Sequence, residues 1–237
     1  MDEDAPIWVS VLLDWQNIYR CAREAFGLDG ERAVAGTVDP LRLARELVAS
    51  GSTADQPRKL QEVRVYRGRP DNTKDPKGYS AWRSQTAAWQ ASMGDLLIPR
   101  YRDLRYRRGA EGVEKGVEKG VDVWLAVDLV KIAMDRGAHR AIVMTSDTDL
   151  VPAVELAVEV RGTDFVEVAG WEGQHQSAAI LVVAGARRHR LDFRAFQRVS
   201  DATDYGVNAR ARRRQGWDAQ IAAEGKRRRD NRPAQHD

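Results

Sequence analysis

The chain has 237 residues, 43% hydrophobic and 31% charged, with a formal charge of +3. That suits one medium domain with extra material, and no apolar run nears the ~18 residues a membrane span needs. One cysteine, Cys21, excludes an intrachain disulfide and a cysteine-rich zinc site, and the four histidines are scattered.

The acidic start, Met1 to Pro6, is not a secretory signal, so a cytoplasmic location is expected. Ile7–Asp14 follows as a first strand, too short and too β-branched for a helix. A helix runs from about Asn17, its expected N-cap, to Gly27. After a loop, Asp39-Pro40 opens a second helix over Leu41–Ala49. Gly51–Pro57 is a polar linker, and Leu60–Tyr66 is a second strand. Gly68–Gly78, with two prolines, reads as a loop. Tyr79–Met93 reads as a helix carrying Trp82 and Trp89 on one face. Leu96–Arg107 is a third strand running into a hairpin arm.

A tandem unit then appears, Gly112-Val-Glu-Lys-Gly-Val-Glu-Lys-Gly-Val121, leading into an apolar helix over Val121–Arg136. Almost all faces of that helix are apolar, so it is buried between the sheet and another element. Ala141–Thr145 is a fourth strand, and Leu150–Arg161 is a helix stopped by Gly162. Asp164–Ala169 is a fifth strand, Ser177–Ala186 a short final helix, and Arg190–Val199 a segment that packs or pairs weakly. Strands alternating with helices predict a parallel α/β sheet. The domain boundary falls near residue 200: residues 1–200 form the domain and 201–237 a basic tail. Residues 206–237 hold nine Lys/Arg against four Asp/Glu and read as disordered or as a frayed charged helix. Such a tail gains counterion-release energy on any polyanion.

Four aspartates stand where this topology gathers side chains. Asp14 ends the first strand, Asp147 and Asp149 follow the fourth, and Asp122 opens the apolar helix. Residues at the carboxyl ends of strands line one crevice in an open α/β sheet, at the point where the strand order reverses. Each acid has a plainer alternative. Asp14 is also suited to an Asx-turn or a helix cap, and Asp149 to an N-cap. Asp122 also suits the helix dipole, worth roughly 0.3–1 kcal/mol. Asp128, about 240° around the helix from Asp122, is expected to be a buried, paired structural acid. Converging carboxylates repel one another unless a cation holds them. With no Cys or His expected nearby, hard oxygens suit Mg²⁺ or Mn²⁺. Asn17 would orient water or substrate, and Thr145 and Ser146 would hold phosphate or water. Lys119 is either a phosphate clamp or a solvated loop charge.

Three motifs carry a resemblance: Asp14-Trp-Gln-Asn17-Ile-Tyr, Lys119-Gly-Val-Asp122 leading into Leu125-Ala-Val-Asp128-Leu, and Thr145-Ser-Asp147-Thr-Asp149-Leu-Val-Pro152. In this order they resemble the NYN domain family of the PIN-like nuclease superfamily, over roughly residues 6–186. The resemblance implies a three-layer sandwich with helices on both faces of a central parallel sheet of order 3-2-1-4-5. It further implies a Mg²⁺ or Mn²⁺ site and endonucleolytic cleavage, usually of RNA. Asp14, Asp122, Asp147 and Asp149 match its acidic site and Asn17 its polar neighbour. Ser146 departs from the family, which commonly has Gly there, and the duplicated Glu-Lys-Gly-Val unit lengthens the approach to Asp122.

The expected activity is therefore that of a metal-dependent endoribonuclease on single-stranded RNA. An RNA-binding or regulatory module without turnover, or a DNA-directed nuclease, stands as the alternative. A haloacid-dehalogenase phosphatase needs a second acid where this chain has Gln16. RNA grip is expected from Arg100, Arg102 and Arg105, interleaved with Tyr101 and Tyr106, and from Arg67. An edge strand that uses charge against aggregation is the other reading of the arginine run. Trp15 is a candidate for nucleobase contact. A homo-oligomer is left open.

Overall fold

The structure, a computed structural model, describes residues 5–108, 114–135, 140–173 and 180–206. Its centre is a parallel sheet of β1 (Ile7–Asp14), β2 (Arg58–Arg69), β3 (Leu97–Asp103), β6 (Arg140–Met144), β7 (Val166–Trp171) and β8 (Arg187–Leu191). These lie in the order β3-β2-β1-β6-β7-β8. The expected order 3-2-1-4-5 is thereby corrected. A hairpin of β4 (Arg105–Arg108) and β5 (Glu114–Val117) intervenes in the chain as a separate antiparallel pair, and β8 adds a sixth strand at the edge. The sequence hides β8 because three of its five residues are arginines and only His189 and Leu191 are buried. Charge of that kind protects an edge.

Helices cover both faces. α1 (Trp15–Ala25), α2 (Pro40–Gly51), α3 (Pro76–Met93) and α6 (Phe193–Val199) pack with Val9, Val11 and Leu13 of β1. α4 (Val121–Met134) and α5 (Val151–Arg161) pack on the opposite face with Leu12, Val143, Val166 and Val168. Successive strand residues point to opposite faces, so β1 feeds both cores. Asp39 caps α2 through the Arg42 N–H at 2.8 Å, with Pro40 in the first turn. No helix among the described residues is long and apolar enough to cross a membrane.

Two other expectations change. β2 extends to Arg69 and α3 begins at Pro76, so the loop between them is shorter than Gly68–Gly78. Residues 180–186 are not helical. Leu181 and Val183 are buried while Val182 is exposed, an alternation of period two that carries the chain across the α5 face. Ser177 lies outside the described residues, as does the tail from 207 onward. After α6, Asp201 is buried, its N–H donates to the Thr37 carbonyl, and its carboxylate accepts from Tyr205.

At the amino end of the sheet, Glu167 of β7 is completely buried. Arg58 reaches it from β2 with two hydrogen bonds of 2.9 Å, Arg140 from β6 at 3.3 Å, and His189 from β8. Ser50, near the end of α2, bonds the other ring nitrogen of His189 at 2.8 Å. Burial alone would raise the Glu167 carboxyl, but His189 and Arg58 more than offset it and hold it at about 2.

Candidate functional site

Strands β1 and β6 are parallel neighbours, with β2 to one side and β7 to the other, so the strand order reverses between them. Their carboxyl ends bound a cavity of about 340 Å³. Asp14, the last residue of β1, is only 8% exposed. Its Oδ1 accepts the Asn17 N–H at 3.4 Å and so caps α1, the role expected of Asn17. Its Oδ2 accepts the Thr145 hydroxyl at 2.9 Å. Thr145 in turn accepts the Asp147 N–H at 3.1 Å, so one hydroxyl fixes the two strand ends together.

Asn17 makes the second cross-link. Its Oδ1 accepts the Ser146 N–H at 2.9 Å, the Ser146 hydroxyl at 3.1 Å and the Cys21 thiol at 3.5 Å. Ser146, expected to hold phosphate or water, is instead turned toward Asn17 and Cys21. Cys21 sits behind the site, against the expectation of no cysteine nearby. Its buried thiol is pushed up from the ordinary cysteine value. Asp147 faces the cavity and also caps the 3-10 turn Thr148–Leu150, accepting the Asp149 N–H at 3.0 Å. Asp149 neither caps as expected nor lines the cavity; its side chain is exposed.

The third wall is the chain entering α4. Gly120 there has φ of 71°, a left-handed conformation that a side chain would strain, and an added Cβ would also meet Arg102 at 2.8 Å. This turn places Asp122 in the first turn of α4 and exposes Lys119, both lining the cavity. It also returns Glu118, which accepts the Gly68 N–H at 2.6 Å. Glu118, Gln16 and Arg20 also line the cavity, and none of them is among the site residues expected from the sequence. Gln16 and Arg20 are one helical turn apart beside Asn17, a spacing that was legible. Glu118 was masked because the repeat made it look like a copy of Glu114.

Four carboxylates thus face two cations, Arg20 and Lys119. Burial pushes Asp14 up to about 6; its two hydrogen bonds offset this only in part, and the negative charges of Glu118 and Asp147 add to it. Burial likewise raises Glu118, with Asp122 contributing. A pocket of hard oxygens in which Asp14 and Glu118 resist ionisation suits a hard divalent cation. The acids are not a finished cage, however: among the described residues no three acid, His or Cys side chains are gathered closely enough to hold a metal as they stand.

The expected RNA-binding arginines divide. Arg67 is half-buried near the rings of Trp15 and Trp89, at 6.0 and 5.7 Å, and donates to Gln85; desolvation lowers it to about 10. Arg100 is committed to Asp128 at 2.6 Å. Asp128 also accepts the Tyr66 hydroxyl at 2.9 Å and lies 3.3 Å from Arg64, the structural role expected of it. Arg102 and Arg105 remain exposed, Arg102 donating to the Gly120 carbonyl at 3.0 Å. Trp15 is 4% exposed and packs edge-on against Trp89 at 4.4 Å, which makes it core rather than a base contact.

A family model described as the NYN domain matches residues 8–192, a span that contains every residue of this cavity. No curated protein matches the chain.

Proposed function

The chain belongs to the NYN domain family, and from that premise we propose that it is a metal-dependent endoribonuclease of PIN-like type acting on single-stranded RNA. The observation that carries this is the convergence of Asp14, Glu118, Asp122 and Asp147 on one cavity at the reversal of the strand order.

Asp14, Asp122 and Asp147 would hold Mg²⁺ or Mn²⁺, with Glu118 added to the set and Asp149 left at its margin. Held there, such an ion would supply positive charge to the scissile phosphate and make water a better nucleophile, the chemistry expected to give 5′-phosphate and 3′-hydroxyl ends. The protein supplies the rest. Thr145 holds the Asp14 carboxylate in place, and Asn17 locks the turn that carries Asp147. Lys119 and Arg20, the cavity's two cations, are suited to steady phosphate oxygens.

The test is cleavage of single-stranded RNA in Mn²⁺ beside DNA of matched sequence, using wild type, Asp14→Asn and Asp147→Asn. Each variant should lose activity by about 10²–10³, the scale of losing one preorganised electrostatic group. Equal cleavage by wild type and both variants would refute the assignment. The open spacing of the acids favours one rival, a polynucleotide-binding module of the same fold without turnover. RNA bound but never cut in Mn²⁺ would establish it, and preferential cutting of DNA would move the substrate class.

A further inference from the structure

Beside the acid cavity, and sharing Lys119 and Gly120 with it, lies a second and larger groove of about 940 Å³ between the β4 end of the hairpin and α4. We propose that this groove seats the bases and backbone of a single-stranded polynucleotide where it leaves the acid cavity. The α4 residues Val123, Trp124 and Val127 would form its floor. The inference rests on the nuclease reading for its substrate class, and extends it from the reacting phosphate to the neighbouring nucleotides.

The floor is apolar yet open. Val123 is 58% exposed and Val127 46%, and they stand four residues apart on the same helix face. Trp124 lies between them in sequence and is held from one side: the Arg100 guanidinium sits 5.4 Å from its ring centroid while bonded to Asp128. A fixed ring beside open methyl groups is a surface on which bases of any sequence can lie.

The rim is cationic. Arg69, Arg102, Arg105 and Lys119 line the groove against one acid, Asp103. Arg102 braces the Gly120 carbonyl and Arg69 pairs with Asp103 at 2.6 Å, which fixes both guanidinium groups at the edge. Phosphates on such a rim release counterions. A second copy of this chain fits less well. A two-fold interface places the same patch on both subunits, which would set four cations against four.

Binding without added divalent ion tests the groove apart from turnover. Anisotropy of a short fluorescein-labelled single-stranded RNA is followed against salt for wild type, Arg69→Ala, Arg105→Ala and the double variant Val123→Asn/Val127→Asn. Each arginine variant should weaken binding about threefold to tenfold and lower the salt slope by about 1. The double variant should weaken it about tenfold with the slope unchanged. Val160→Asn, at an exposed valine of α5 outside the groove, should bind as wild type, and circular dichroism melts confirm that each variant folds. Wild type that binds no RNA, or groove variants that bind as wild type does, would overturn the proposal. So would a double variant that converts a dimer to a monomer in light scattering while keeping its RNA affinity. Cleavage assays in Mn²⁺ separate the two claims: groove-dependent binding without cleavage removes only the nuclease reading, whereas cleavage with groove-independent binding removes only this one.

Discussion

Two buried carboxylates stand at opposite ends of the same sheet. Glu167, at the amino end, has Arg58, Arg140 and His189 around it and is held at about 2. Asp14, at the carboxyl end, has a hydroxyl and an N–H but no cation paired with it among the described residues, and rises to about 6. The fold completes one charge from its own side chains and leaves the other incomplete. A buried charge without a partner is costly, so its persistence marks a place where something outside the chain is expected to complete it.

The largest effect should come from damaging the completed end. Arg58→Met removes the bidentate partner of Glu167 and should lower stability by about 3–5 kcal/mol in urea unfolding. A loss below about 1 kcal/mol would mean that the network is not the structural counterweight described. Acid should act there in the same direction. Glu167 has a folded value below its unfolded 4.5. Its contribution is therefore fully present above pH 4.5 and is lost as pH falls toward 2, an effect on the order of 3 kcal/mol. Thermal melts across that window should show a downward slope that Glu167→Gln flattens.

The incomplete end should respond with the opposite sign. The folded value of Asp14 lies above its unfolded 3.8, so its contribution is fully present below pH 3.8 and is lost as pH rises through 6, leaving the ionised carboxylate a cost to the fold at neutral pH. Asp14→Asn should accordingly cost no stability at neutral pH and gain up to about 2 kcal/mol, even while activity falls. The smallest effect is expected at the cavity wall: Glu118→Gln should weaken Mn²⁺ binding about tenfold, with little change in melting temperature.

Much of this contrast was legible in the sequence, but unevenly. The short β-branched runs located β1 and β6, and a strand-end Asp after each was enough to place Asp14 and Asp147 in one crevice. Asp128 was read correctly because its angular offset on an apolar helix leaves it facing inward. The Glu167 network was not legible, because Arg58, Arg140 and His189 come from three different strands and no local pattern links them. The surroundings of Arg67 were hidden for a related reason. Its charge predicts solvent, but Trp15 and Trp89 cover it, and only their tertiary packing shows this. Glu118 needed the left-handed turn at Gly120 to bring it back to β2, which the repeat concealed.

The account is tested most directly by calorimetric titration of Mn²⁺ into wild type and Asp14→Asn at neutral pH. It predicts saturable binding to wild type and an affinity at least about tenfold weaker in the variant. Equal binding by both proteins, or none by wild type, would contradict the claim that this pocket is built to be completed by a cation.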